Sequence, residues 1–451
     1  MKVVGIIAEY NPFHRGHEYQ IRYAKETLGA DYVVIAMSGD FVQRGAPALM
    51  EKHVRAEMAL LGGADLVLEM PLQTATASAE GFAAGGVSLL DGLGVIDELC
   101  FGSECGDTEI LMDVAEILVK EPSEYRNLLQ QNLRAGMSFP AARSSALIGY
   151  IQEKIASGLN TLGTSSEHIE LVLSSPNNIL GIEYCKALLR LNSQIRPVTI
   201  RREGMGYHET TVPEGDSASS SPDLQSSTDF FASATAIRSL IQNPGGGHSE
   251  AISDINNPVR NPDTKTANIL SSQIPPDAFY VFKKALDSGE FLTENSLDSI
   301  LSYCLMKENV ESLSSYMDVS EDLARRIINQ QNLLLSFSQS VSVLKTRELT
   351  QTRIQRALLH IILNIHTAPT QIPFARVLGF RKESSELLSR IKQHSRIPLI
   401  TKLADAQNLL DSEGNQILSE TVFSSNLYEK LLCLKTGRKF CHESQKQLII
   451  L

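Results

Sequence analysis

The 451-residue chain has no apolar run approaching membrane-spanning length, and its first residues enter a strand pattern without the zones of a signal peptide. These absences lead to the expectation of a soluble cytoplasmic protein. Its six cysteines, Cys100, Cys105, Cys185, Cys304, Cys433 and Cys441, carry no CxxC spacing, so they read as reduced core or surface thiols rather than zinc ligands or a disulfide framework. Neither a cysteine nor a serine stands in a nucleophile motif, and a covalent enzyme intermediate is not expected. Positive charge is also short: the formal net charge is −11, which argues against a protein coated in nucleic acid. A local basic face stays compatible with that sum, because affinity for a folded RNA depends on where the charge sits. What the chain does have is length for two or three domains and 43% hydrophobic residues for their cores.

From residue 1 to about 120, short Val- and Ile-rich runs near 3–8, 32–37, 66–69 and 98–101 alternate with amphipathic stretches near 17–28, 52–61, 79–90 and 109–119. That alternation predicts a doubly wound α/β fold with a parallel sheet, whose ligands sit outside the C-terminal ends of the strands. Asn11, Asp40, Gly102 and Glu104 follow strand ends and are expected to converge there. Residues 121–192 read as a helical insertion, and 195–200 returns to strand. The Ser-rich stretch 214–229 and the Pro/Gly/Asn/Asp-rich stretch 243–267 hold too few apolar residues to offset their ordering entropy, so both are expected to be flexible. Residues 1–268 are thus expected to form the first domain. Residues 269–451 read as a mainly α-helical domain, with a short polar strand-turn near 411–417.

The first strand runs directly into Asn11-Pro12-Phe13-His14-Arg15-Gly16-His17 and then a helix. Unpaired backbone N–H groups and the positive end of the helix dipole face outward at such a turn, which favours phosphate before any side chain is considered. Pro12 fixes the turn, Gly16 permits close approach, and His14 and His17, three apart, present two imidazoles to one ligand. Such a pair suits the oxygens of a polyphosphate, where charge builds up as a phosphoanhydride bond breaks. A metal site or two surface histidines is the plainer alternative, but no Cys, Asp or third His stands at ligand spacing nearby.

His14-Arg15-Gly16-His17 resembles the HxGH signature of the nucleotidyltransferase superfamily that includes class I aminoacyl-tRNA synthetases. Small adenylyltransferases usually precede it with Phe-Asp-Pro; the Asn11-Pro12-Phe13 found here resembles instead the bacterial tRNA(Met) cytidine acetate ligases. Matching segments continue through Ser38-Gly-Asp-Phe-Val-Gln-Arg-Gly45, Phe101-Gly-Ser-Glu104, Ser175-Pro-Asn-Asn-Ile-Leu-Gly-Ile-Glu-Tyr184 and Ala232-Ser-Ala-Thr-Ala-Ile-Arg238. The resemblance implies activation of acetate with ATP to acetyl-adenylate, then acetylation of N4 of the wobble cytidine of elongator tRNA(Met). It implies ATP contacts from Ile7, Ala8, Glu9, Tyr10, Asn11, Pro12, Phe13, His14, Arg15, Gly16 and His17, and from Gly102, Asn177 and Arg202. Ser233, Thr235 and Arg238 would hold the phosphates, and His14 and His17 the leaving pyrophosphate. Asp40 is expected to bind substrate or magnesium, which is expected with the triphosphate, and Arg44 to steady an anion. A small-molecule adenylyltransferase or acid–amine ligase resembling pantothenate synthetase is the alternative, and a non-catalytic RNA-binding protein a third.

Elsewhere charge gives the signals. Lys52, His53 and Arg55 open a helix against its dipole and read as an exposed face. Asn177 or Asn178 is expected to cap the helix that follows Pro176. Basic residues gather between 325 and 396. Lys345, Arg347, Arg353 and Arg356 are expected to contact RNA, the last two sharing a solvent face, with Phe374, Phe380 and Tyr428 as aromatics for base stacking. An ordinary solvated helix is the plainer alternative for that face.

Overall fold

The structure, a computed structural model, describes residues 1–157, 166–202, 232–242 and 264–451. The stretch 214–229, and 243–263 of the stretch 243–267, lie outside the described residues, while 264–267 begin the helix Thr264–Gln273.

Among the described residues ten strands form: β1 (Val3–Ala8), β2 (Tyr32–Ser38), β3 (Phe41–Val42), β4 (Ala46–Pro47), β5 (Leu66–Met70), β6 (Glu98–Ser103), β7 (Arg196–Arg201), β8 (Ala375–Phe380), β9 (Leu399–Ile400) and β10 (Ile449–Ile450). The main sheet runs β10-β8-β5-β2-β1-β6-β7, with β9 also on β8. Its pairs are parallel except β5 with β8, while β3 and β4 make a separate hairpin. β1 is followed by β2 on one side and flanked by β6 on the other, so the order reverses at β1. The carboxyl ends of β1 and β6 therefore open a crevice, which is where a doubly wound sheet takes its ligand.

Side chains alternate across β1: Val3 and Ile7 face one apolar layer, Val4 and Ile6 the other. The first layer is built by the helices Ala79–Gly92, Thr108–Lys120 and Pro176–Arg190, through residues such as Phe82, Leu111 and Ile182. The second is built by Arg15–Glu26, Lys52–Leu61 and Pro276–Asp287, through Ile21, Met58 and Phe282. The expected helical insertion comprises Ser123–Arg134, Phe139–Ala156 and Ser166–Ser174, whereas Pro176–Arg190 belongs to the sheet's own covering layer. Among the described residues no helix is long and apolar enough to cross a membrane.

The C-terminal half is helical as expected, but residue 268 does not separate two cores. β8, β9 and β10 come from that half and complete the N-terminal sheet, and Ile372, Ala375, Val377, Leu387 and Ile391 join its first apolar layer. The region 411–417 also differs from the strand-turn expectation. Asp411 is the N-cap of the helix Ser412–Thr436, its Oδ1 accepting from Gly414 N–H at 2.7 Å, so the polar Asp-Ser-Glu run starts a helix.

A third correction concerns Lys52 and Arg55, which are fully buried. Lys52 Nζ lies 2.7 Å from Glu69 Oε1 and 2.8 Å from Glu443 Oε1, and donates to Ser425 Oγ at 2.6 Å. Arg376 spans the same two carboxylates, 2.6 Å from Glu69 and 2.5 Å from Glu443. Arg55 donates to the carbonyls of Met50 (2.9 Å), Glu9 (2.5 Å), Ser38 (3.2 Å) and Gly39. Charge at the helix start thus signals buried pairing here, with partners far away in sequence.

Burial alone raises the Glu443 carboxyl pKa, but Lys52, His53 and Arg376 outweigh it and hold the group well below the usual carboxylate range. A depressed native pKa stabilises the fold above the unfolded carboxylate's titration, about pH 4.3, and that contribution is lost as pH falls below it. Removing one member leaves the others buried without full compensation. Arg376→Met is therefore expected to lower stability by about 3–5 kcal/mol in urea unfolding followed by circular dichroism; a loss under about 1 kcal/mol would refute the pairing.

Candidate active site

β1 ends at Ala8, and the chain turns through Tyr10, which takes a left-handed conformation (φ 48). Such a conformation costs a non-glycine residue about 1–2 kcal/mol. The Tyr10 ring offsets this by packing against Phe13 (centroids 4.9 Å apart) and His17 (4.7 Å). Asn11 is buried with Oδ1 accepting from Leu49 N–H at 2.7 Å, so its side chain ties down the neighbouring loop instead of reaching for a ligand.

The helix Arg15–Glu26 then begins with a cap built from the two histidines. His14 Nδ1 accepts from Gly16 N–H at 3.1 Å, and His17 Nδ1 accepts from His14 N–H at 3.3 Å. An Nδ1 that accepts carries no proton, so each neutral ring holds its proton on Nε2. The rings lie 3.8 Å apart, centroid to centroid, tilted by 30°. Burial, then Arg202 and Arg238, push the His14 pKa down to about 3; burial, then His14 and Arg202, hold His17 well below its ordinary value. Both side chains are therefore neutral Nε2–H donors at physiological pH.

Arg238, on the helix Ala234–Gln242, reaches across to donate to the Asn11 carbonyl at 2.6 Å and to Thr235 Oγ1 at 3.1 Å. Ser233 Oγ accepts from Ala236 N–H at 3.1 Å, capping that helix and leaving its own proton to donate. At the end of β6, a Cβ on Gly102 would meet Arg202 Cγ at 3.2 Å, so a side chain there would press on the arginine. Arg202 donates to Asn177 Oδ1 at 3.3 Å. Neither asparagine caps its own helix. Glu104 does so from the bend after β6, accepting from Asn177 N–H (3.2 Å), Asn177 Nδ2 (2.6 Å) and Asn178 N–H (2.9 Å), while Asn178 Oδ1 accepts from Glu104 N–H and Cys105 N–H.

One cleft collects these groups. Ile7, Ala8, Glu9, Tyr10, Asn11, His14, His17, Gly102, Asn177, Arg202, Ser233, Thr235 and Arg238 all line it, and so does Arg44. Pro12, Phe13, Arg15 and Gly16 do not. Phe13 is a core residue with no exposed surface, and Gly16 serves the cap. Asp40 is a correction. It is buried, its Oδ1 accepts from Lys52 N–H at 2.8 Å and its Oδ2 lies 3.7 Å from Lys52 Nζ, so its charge positions a helix and does not face the cleft. Sequence reading missed the wall formed by Gln20, Gln43, Phe82, Phe101, Leu180 and Tyr184. Gln43, Phe101, Leu180 and Tyr184 fall inside the quoted family segments, whereas nothing in the local pattern around Gln20 and Phe82 marks them.

The basic stretch divides sharply. Lys345 and Arg347 are exposed and Arg353 is partly buried. Arg356 does not share a solvent face with Arg353: its Nε lies 2.7 Å from Asp318 Oδ2. Its backbone also seats the hairpin tip, because Gly45 (φ +77) sits where a Cβ would come within 2.3 Å of Arg356 N. The helix Gln351–Leu363 thus abuts the hairpin that carries Gln43 and Arg44 into the cleft. Of the expected stacking aromatics, Phe374 and Tyr428 are core residues, the latter's hydroxyl directed to the Ala48 carbonyl at 2.9 Å, and Phe380 is half-buried.

Two neutral imidazole donors, Arg44, Arg202, Arg238 and two helix starts around one crevice make a polyphosphate site. Known proteins agree with that reading. A family model described as HIGH Nucleotidyl Transferase matches residues 1–440. The tRNA(Met) cytidine acetate ligase of Acetivibrio thermocellus is 35% identical over 461 residues, covering 100% of both chains. Its namesake from Halothermothrix orenii is 38% identical over 447 residues, 96% of this chain and 95% of that one. Among solved structures, Thermotoga maritima TmcAL bound with alpha-thio ATP matches with a TM-score of 0.83 at 29% identity, covering 100% of both chains, and its apo form with 0.86.

The double histidine cap has a direct spectroscopic consequence. In nitrogen-15 histidine spectra, His14 and His17, assigned through His14→Gln and His17→Gln, are expected to stay in the neutral Nε2–H form from pH 8 to pH 5. Titration of either ring near pH 6.5 would contradict the cap.

Proposed function

We propose, from the premise that this chain belongs to the HIGH nucleotidyl transferase family and within it to the tRNA(Met) cytidine acetate ligases, that it joins acetate to a cytidine of tRNA at the expense of ATP. The observation that carries this reading is the pair of neutral histidines facing Arg202 and Arg238 in the switch-point cleft. ATP takes that cleft with its phosphates toward the histidines and Arg238. Acetate attacks the α-phosphate, giving acetyl-adenylate and pyrophosphate; the N4 amine of the wobble cytidine of elongator tRNA(Met) then takes the acetyl group. The enzyme contributes position and charge stabilisation in the first step, with no covalent intermediate on a side chain.

Neutral donors suit that step. Their hydrogen bonds strengthen as charge grows on the bridging oxygen, so they favour the transition state over bound ATP. His14 and His17 touch the reacting phosphates in this reading, Ser233, Thr235 and Arg238 hold them, and Gly102, Asn177 and Arg202 line the opposite wall. Magnesium comes with the triphosphate. Among the described residues no group of three or more His, Cys, Asp or Glu is placed to hold a metal, and Asp40 faces Lys52; these residues do not fit a protein-held ion.

The RNA reaches the cleft along the helical half. Lys345, Arg347 and Arg353 supply phosphate contacts there, while Arg356, paired with Asp318, positions the helix that meets the hairpin. With RNA and ATP as substrates, the cytoplasm is its compartment.

Acetate-dependent exchange of pyrophosphate into ATP, run without tRNA, tests the adenylation step. His14→Ala and His17→Ala are each expected to slow exchange about 100-fold or more while ATP affinity stays within a few-fold. Exchange that is independent of acetate, or lost ATP binding with unchanged turnover, would overturn the assignment.

A further inference from the structure

Three arginines line the cleft, Arg44, Arg202 and Arg238, against one carboxylate among the described residues, Glu9. A site that must hold a triphosphate and a carboxylic acid gains nothing from a negative charge, which repels both. Glu9 is nevertheless fixed from two sides. Its carbonyl accepts from Arg55 at 2.5 Å, and its Oε1 accepts from Gln43 N–H at 2.9 Å. The cleft's apolar lining comes from Phe82, Phe101, Leu180 and Tyr184, with the Phe101 and Tyr184 rings 5.4 Å apart. Burial first, then the charge of Glu9, pushes the Tyr184 hydroxyl pKa up, which places that ring within the carboxylate's field.

A carboxylate in this cleft matches the needs of a cytosine, because carboxylates accept from its exocyclic N4 amine. We propose that Glu9 is the group that receives the cytidine, accepting a hydrogen bond from N4–H and taking the N4 proton during acetyl transfer. The inference rests on the ligase reading above and deepens it.

The need for such a base lies in the nucleophile. The lone pair on N4 is delocalised into the ring, so the amine attacks poorly unless its proton is drawn away. As N4 forms its bond to the acetyl carbonyl carbon, the bond from that carbon to the phosphate oxygen breaks. AMP leaves with the electron pair, and the N4 proton passes to the Glu9 carboxylate and on to solvent. The Gln43 N–H holds Oε1, which leaves Oε2 as the oxygen this proposal assigns to the amine proton.

Glu9→Gln separates this role from others. The amide oxygen still accepts from Gln43 N–H, so the hairpin stays in place while the basic oxygen is lost. Two half-reactions are measured: acetate-dependent pyrophosphate exchange without tRNA, and single-turnover transfer to tRNA(Met) from acetyl-adenylate formed on the enzyme. Transfer is expected to fall about 100-fold or more and exchange by less than about tenfold, with Glu9→Asp recovering part of the transfer. Equal losses in both halves would make Glu9 a hairpin anchor or a magnesium ligand and overturn the proposal, as would transfer within about threefold of wild type. Wild-type protein run alongside reports on the ligase reading: its failure to acetylate tRNA would sink both, whereas wild-type transfer matched by Glu9→Gln would sink the role of Glu9 alone.

Discussion

Lys52, Glu69, Arg376 and Glu443 carry four full charges into the interior, and none of them is tolerable there without the others. They come from the helix after the hairpin, from β5, from β8 and from the C-terminal tail. The chain can neutralise them only by bringing its two halves together, which makes the C-terminal half part of the sheet and not an attached module. The consequence reaches the cleft within one helical turn. Asp40 holds Lys52 at the helix start, and Arg55 gathers the carbonyls of Glu9, Ser38, Gly39 and Met50, so the loops after β1 and β2 are set by the same buried charges.

On that floor the histidine pair does two things with each ring. Nδ1 satisfies a backbone N–H at the helix start, and the proton left on Nε2 is available to a ligand. Capping therefore decides the tautomer, and burial with the nearby arginines decides the charge. Neutral donors respond to the charge that develops.

Much of the fold was legible because the N-terminal strands are unbroken apolar runs; β1, β2, β5, β6 and β7 fall within a few residues of where the sequence puts them. β8 was not, since Arg376 interrupts Ala375–Phe380 and its pairing carboxylates are distant in sequence. The same blindness made Lys52 and Arg55 look like a solvated face, and Arg356 like an RNA contact. A charged side chain looks alike in sequence whether it meets water or a buried partner. The motif residues were legible by type and spacing, and the geometry gathers most of them around one cleft. It could not be read from sequence that Asp40 would turn to a lysine, whereas Glu9, expected in the site from the resemblance, does line the cleft.

Adenylation in the cleft and delivery of the acetyl group to RNA beside the helical half are two parts of one claim. It is tested most directly by incubating the protein with ATP, isotopically labelled acetate and total tRNA, then digesting the RNA to nucleosides for mass spectrometry. Label in N4-acetylcytidine, confined to elongator tRNA(Met) and dependent on ATP, is the result this account predicts. Label released only as a small-molecule product, with the tRNA unmodified, would contradict it.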